Sequence, residues 1–169
     1  SVSLNINDLD DAAPTITSGA TATAIDENSG AEQVVYTATA DDSSDVSDGV
    51  SFSLADGSDS ALSIDATSGE VTLASDPDHE AQSQYSFSVI ATDAAGNQSA
   101  SQAVTLDIND LDDASPVLTS LDTATAIDEN SGADQVVYTA TADDSADISD
   151  GVSFSLASNT TYGDTPELA

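Results

Sequence analysis

The strongest constraint on this chain is that it repeats itself. Residues 2–55 align with residues 104–157 at a constant offset of 102 positions. Inside that block Ile25-Asp26-Glu27-Asn28-Ser29-Gly30-Ala31 recurs unchanged at residues 127–133, and residues 48–55 recur at 150–157. A solenoid unit runs to roughly 20–45 residues, whereas a period near 100 is the size of a whole small domain. Each copy must therefore close a core of its own, and a connector must string the copies together.

The connector is the acidic stretch Asp107-Ile108-Asn109-Asp110-Leu111-Asp112-Asp113-Ala114-Ser115-Pro116. Its earlier copy is Asn5-Ile6-Asn7-Asp8-Leu9-Asp10-Asp11-Ala12-Ala13-Pro14. Between the two connectors the pattern is all-β. Val34, Tyr36 and Ala38 alternate with Thr37 and Thr39, and Val50, Phe52 and Leu54 with Ser51 and Ser53. Leu62 and Ile64, then Val71 and Leu73, flank a Ser68-Gly69 turn. Tyr85, Phe87, Val89 and Ala91 form a longer alternating run, and Val104, Leu106 and Ile108 close the repeat. Strict alternation gives each strand one apolar face, and two antiparallel sheets packed on those faces satisfy it. The predicted fold is a tandem Greek-key β-sandwich of about seven strands per domain. Residues 1–11 read as the last strand and linker of a preceding repeat, 12–113 as a complete repeat, and 114–169 as the incomplete first part of the next.

Charge narrows the function. The chain carries 32 acidic side chains and no Lys or Arg, a formal net charge of −32. Two carboxylates about 4 Å apart repel by roughly 4 kcal/mol at an effective dielectric of 20. The counter-charge must come from solution. Without a basic footprint, nucleic acid and anionic membranes are poor partners. There is no Cys and no Met, no leader is visible, and no apolar run reaches the length of a membrane span. The chain reads as an interior piece of a longer protein, without membrane insertion.

A hard cation such as Ca²⁺ takes about six to eight oxygens, more than one acidic segment supplies. Loops meeting at one end of a sandwich can supply them. Glu27 follows the first short strand, Asp78 and Glu80 precede the Tyr85 strand, and Asp107, Asn109 and Asp110 leave the last one. With Leu106 and Ile108 inward, Asp107 and Asn109 must point outward. The second copy adds Asp143, Asp144 and Asp147.

These residues resemble the cadherin-like repeats of large bacterial (RTX-type) surface adhesins, over the chain up to about residue 157. Asp107-Ile108-Asn109-Asp110 is similar to the cadherin linker DxNDN, Asp26-Glu27-Asn28 to the motif PEN, and Asp78-His79-Glu80 to DRE. Ala91-Thr92-Asp93 resembles a later A-x-D ligand position, and Leu62-Ser63-Ile64-Asp65 with Thr67-Ser68-Gly69 resembles the segment F-x-I-D…T-G. The resemblance implies Ca²⁺ bound by Glu27, Asp78, Glu80, Asp107, Asn109, Asp110 and Asp112, by Asp143, Asp144 and Asp147 of the second copy, by Asn7, Asp8 and Asp10 upstream, and by Asp42, Asp45 and Asp93. The chain departs from the pattern in places: Asn5 stands for the first linker Asp upstream, Leu111 for the last linker Asn, and Ala142 for the first Asp of DxD. One to three ions per junction are therefore expected. His79 reads as a solvent-exposed residue where the family has Arg.

The function expected is that of a calcium-rigidified extender repeat in a secreted bacterial cell-surface adhesin, giving a stiff extracellular rod for adhesion or biofilm formation. Its partners would be neighbouring repeats of the same chain. A carbohydrate-binding module, or one that associates with other copies of itself by strand exchange, is the alternative. Carbohydrate binding calls for exposed aromatic rows, and the aromatics here fall on core faces. Paired carboxylates also occur in glycosidases. A repeat array has no unique cleft, so the expectation is a protein that is not an enzyme.

Overall fold

The computed structural model describes residues 1–44, 46, 49–149 and 151–157. It divides into two compact units, Ser1–Leu111 and Asp112–Ala169.

In the first unit the strands are β1 (Thr15–Ile16), β2 (Ile25–Asp26), β3 (Gln33–Thr37), β4 (Ala40–Asp41), β5 (Val50–Leu54), β6 (Leu62–Ile64), β7 (Glu70–Leu73), β8 (Gln84–Asp93) and β9 (Gln102–Asn109). One sheet has the order β2-β9-β8-β5 and the other β3-β7-β6, with β1 and β4 as a separate pair. All pairings are antiparallel except β2 with β9, which is parallel and sets Ile25 opposite Ile108 and Asp26 opposite Asn109. The all-β sandwich read from the alternation is the fold observed.

The core joins both sheets through Val35, Tyr36, Leu62, Val71, Leu73, Tyr85, Phe87, Val89, Val104, Leu106 and Ile108. Burying a Val, Leu, Ile or Phe side chain contributes about 1.5–3 kcal/mol relative to leaving it in water. Tyr36 meets Phe87 edge to face, centroids 5.5 Å apart, the geometry an aromatic quadrupole favours. Gly69, at φ +73°, is required by its turn: a Cβ there would lie 2.5 Å from the Ala38 carbonyl oxygen.

One expected inward residue faces out. The alternation predicted Val34 in the core with Tyr36, but β3 carries a register shift between Val34 and Tyr36. Val34 is 53% exposed and Val35 takes the buried place. A bulge puts two residues opposite one and reverses the face read by everything before it.

The ends also differ from expectation. Residues 1–8, read as a closing strand, form no ladder, and Val2, Leu4 and Ile6 are exposed. In the second unit β10 (Val117–Leu118) pairs with β11 (Ala142–Asp143). The strands expected around Tyr138 and Phe154 form no ladder among the described residues. Neither segment has a closing strand beside it within its unit, and short lone strands are marginal in water. The connector divides between Leu111 and Asp112 rather than after Asp113. Hydrogen bonds account for this: the Leu111 N–H donates to Glu27 in the first unit, at 2.6 Å. The Asp113 and Ala114 N–H groups donate to Asp147 Oδ2 in the second, at 2.8 and 2.6 Å.

Candidate metal centres

Four acids of the first unit continue the inward phase of a strand at or just past its end. Glu27 lies two residues beyond Ile25, Asp42 beyond Ala40, Asp93 beyond Ala91 and Asp110 beyond Ile108. Side chains alternate with period two, so each is carried toward the core where the apolar residues run out. Glu27, Asp42 and Asp93 are buried, and Glu27 retains only 1% of its exposure. Burying a carboxylate is costly unless hydrogen bonds or a counter-charge offset it.

Glu27 has the fullest set of donors. Its Oε2 accepts the His79 N–H at 2.9 Å and its Oε1 the Leu111 N–H at 2.6 Å. The His79 and Leu111 peptides, in that order, hold its pKa below the ordinary glutamate value. Asp78 and Glu80 bring carboxylate oxygens to Glu27, all three lying within 4.8 Å of one another. Glu80 titrates above its ordinary value, first through burial and then through the charges of Glu27 and Asp110. Asp110 has one buried oxygen, Oδ1, without a hydrogen-bond partner. Crowded hard oxygens, one held up in pKa by burial and by its charged neighbours and one unpartnered, fit a divalent oxygen-seeking cation such as Ca²⁺.

A second cluster of Asp10, Asp42 and Asp93 also lies within 4.8 Å. Burial pushes Asp93 up, but donors from Asn97, Gly96 and Ala95 outweigh it and leave the carboxyl below its usual value. Asn97 Nδ2 bridges Asp93 Oδ2 at 2.8 Å and the Asp10 carbonyl at 3.3 Å.

The remaining expected ligands stand apart from these clusters or in the other unit. Asp107 and Asn109 point outward, as the alternation required. Asp107 accepts Gln84 Nε2 at 2.6 Å, and Asn109 Nδ2 donates to Asp26 at 2.9 Å. Asn7, Asp8 and Asp112 are exposed. In the second unit Asp143 accepts the Ser145 N–H at 3.2 Å, Asp144 accepts the Ser149 hydroxyl, and Asp147 caps Asp113 and Ala114 while its Oδ1 is buried without a partner. Asp45 lies outside the described residues.

His79 departs from its reading as a mere surface residue. Its Nδ1 sits 3.6 Å from Glu80 Oε1 and 3.5 Å from Asp110 Oδ2. As the sole histidine in a chain without Lys or Arg, it was already marked by composition.

Comparison with known proteins identifies the family of the fold. The family model described as Cadherin domain matches residues 21–109. Human Protocadherin Fat 1 is 31% identical over 132 residues, which are 76% of this chain and 3% of that protein. The structure of Drosophila N-cadherin EC1-4 superposes with a TM-score of 0.65 at 26% identity, over 82% of this chain and 34% of that one. Human Protocadherin-24 EC1-2 has a TM-score of 0.66 at 20% identity, over 82% and 62%, and shows the fold. Cadherin domains are extracellular repeats of adhesion proteins, and this chain belongs to that family.

Proposed function

We propose that the chain is a calcium-stiffened extender of a secreted bacterial adhesin, in which bound Ca²⁺ neutralises the acidic connectors and holds them straight. The observation that carries this reading is the convergence of Glu27, Asp78, Glu80 and Asp110 around the segment leaving β9, in a protein with no Lys or Arg. Glu27 fixes that segment by accepting the Leu111 N–H. Glu27, Asp78, Glu80 and Asp110 would hold one ion, and Asp10, Asp42 and Asp93 another. The cation would supply the counter-charge these carboxylates lack. Asp107, Asn109 and Asp112, with Asn7, Asp8 and Asp45, are proposed as further oxygen donors of the connectors, and Asp143, Asp144 and Asp147 as those of the second copy.

Extracellular calcium modules bind with dissociation constants of about 10⁻⁴–10⁻³ M. Such a rod would be slack in a calcium-poor cytosol and stiff outside. Near-identity of the repeats and the absence of Cys and basic residues favour a bacterial surface array; the relatives named above are animal proteins and support the module rather than the source. Chelation should shorten the particle in small-angle scattering, and an unchanged maximum dimension overturns the reading.

Self-association is a second reading, favoured by the exposed apolar residues Val2, Leu4 and Ile6 of one unit and Val136, Phe154 and Leu156 of the other. Analytical ultracentrifugation showing only monomer dismisses it.

A further inference from the structure

We infer that His79, Glu80 and Asp110 form a site for a borderline divalent metal ion of the zinc type, which shares Glu80 and Asp110 with the all-oxygen cluster and differs from it by an imidazole nitrogen. The three side chains present ligand atoms within 4.8 Å of one another. In a tetrahedral zinc centre with bonds of about 2.0–2.2 Å, neighbouring ligand atoms lie roughly 3.3–3.5 Å apart. His79 Nδ1 is 3.6 Å from Glu80 Oε1 and 3.5 Å from Asp110 Oδ2. Closing those two edges on a zinc ion therefore asks for only a slight contraction, and the third, between Glu80 and Asp110, lies within 4.8 Å. Two further features are compatible with an ion there. Asp110 Oδ1 is buried without a hydrogen-bond partner, on the same carboxylate whose other oxygen faces the imidazole. All three side chains also remain partly open to solvent, so an ion can enter.

Donor chemistry separates this site from the calcium site. Ca²⁺ selects oxygen, and a nitrogen adds little to it. Zinc and its neighbours in the transition series gain strongly from imidazole. This chain has no Cys and no second His to compete for such an ion. Zinc at His79 would occupy Glu80 and Asp110, which the calcium reading also uses, so the two ions should compete. Only that competition rests on the calcium reading; zinc binding itself does not.

The test is a Zn²⁺ titration of the 169-residue chain, followed by the side-chain ¹H–¹⁵N signals of its sole imidazole and by calorimetry. One equivalent of zinc should shift the imidazole signals. Losing a partner that merely orients a ligand typically costs about 10–100-fold in metal affinity, so His79→Gln, which removes a ligand, should weaken zinc binding by about tenfold or more. Calcium binding to His79→Gln should be preserved, which verifies that the variant is folded. Zinc should weaken calcium binding in the parent chain and not in His79→Gln. Imidazole signals unmoved at saturating zinc, or equal zinc affinity in His79→Gln, would mean adventitious binding at the acidic surface and would overturn the inference. Zinc binding through His79 in a chain that takes up no calcium would defeat the calcium reading alone.

Discussion

The two copies of Ile-Asp-Glu-Asn-Ser-Gly-Ala have the same sequence and different structures. In the first, Ile25–Asp26 is strand β2, paired in parallel with β9, and Glu27 is buried. In the second, Ile127 is 55% exposed, no strand forms, and Glu129 lies open to water. What survives in both copies stays within about 22 positions of the chain. Tyr36 Oη donates to the Gly19 carbonyl and meets the Ser18 hydroxyl, both at 2.7 Å, and Tyr138 Oη donates to the Leu121 carbonyl at 2.6 Å and meets the Ser120 hydroxyl at 2.7 Å. Thr17 meets Thr39 at 2.9 Å and Thr119 meets Thr141 at 3.0 Å. Asn28 and Asn130 share a positive φ, as do Glu32 and Asp134. Turn chemistry and short-range pairing thus follow the sequence. The buried carboxylate goes with β9 alongside and with the N–H donors of His79 and Leu111, whereas no strand pairs with residues 127–128 among the described residues.

Core truncation should give the sharpest separation of the copies. Tyr36 is 9% exposed against 44% for Tyr138. Tyr36→Ala should cost about 3–5 kcal/mol in denaturant unfolding of the first unit, and Tyr138→Ala less than about 1 kcal/mol. Equal losses would break the comparison. Next in size, Gly69→Ala should cost roughly 2–4 kcal/mol, because a positive φ and a blocked Cβ position coincide there. A melting temperature like that of the parent chain would mean the turn can shift.

The metal-dependent difference should be smaller but more specific. Glu27→Gln should weaken calcium binding by roughly tenfold or more, while Glu129→Gln leaves it nearly unchanged, as calorimetry can measure. Equivalent losses would place the second motif in a site as well.

The pH effects should be the smallest. Glu27 has a folded pKa below its unfolded value, so its contribution is present above the ordinary glutamate pKa and is lost as pH falls through the folded value. Glu80 has the opposite sign: its contribution is present below its unfolded value and is lost as pH rises through the raised one. In chelator at neutral pH, Glu80→Gln should therefore raise the melting temperature slightly, and with calcium it should lower it. The same sign under both conditions would show that Glu80 does not meet the ion.

Much of the site was legible in the residues. The motifs around Glu27, Asp78, Glu80, Asp93 and Asp110 named residues that the fold gathers into clusters. Alternation also placed Asp107 and Asn109 outward. A rule available in the sequence went unused: an acid two places beyond the last apolar residue of a strand keeps the inward phase, as Glu27, Asp42, Asp93 and Asp110 do. The bulge that exposes Val34 was not legible, because nothing in Gln33-Val34-Val35-Tyr36 distinguishes an inserted residue from a regular one. Nor was the place of His79, which depends on β9 delivering Asp110 to its side.

By itself the sequence determined the repeat, the alternation that makes a sandwich, the turns, and a charge that only dissolved cations can balance. These are properties of neighbours along the chain and need no partner from afar. Tertiary structure decided which of two identical Glu side chains is buried, where β3 slips its register, and which carboxylates share a few ångströms. Those outcomes depend on residues some 30 to 85 positions apart meeting, as β3 meets β7 and Glu27 meets His79 and Leu111. Only a closed core of paired strands holds such groups together against chain entropy and their mutual repulsion.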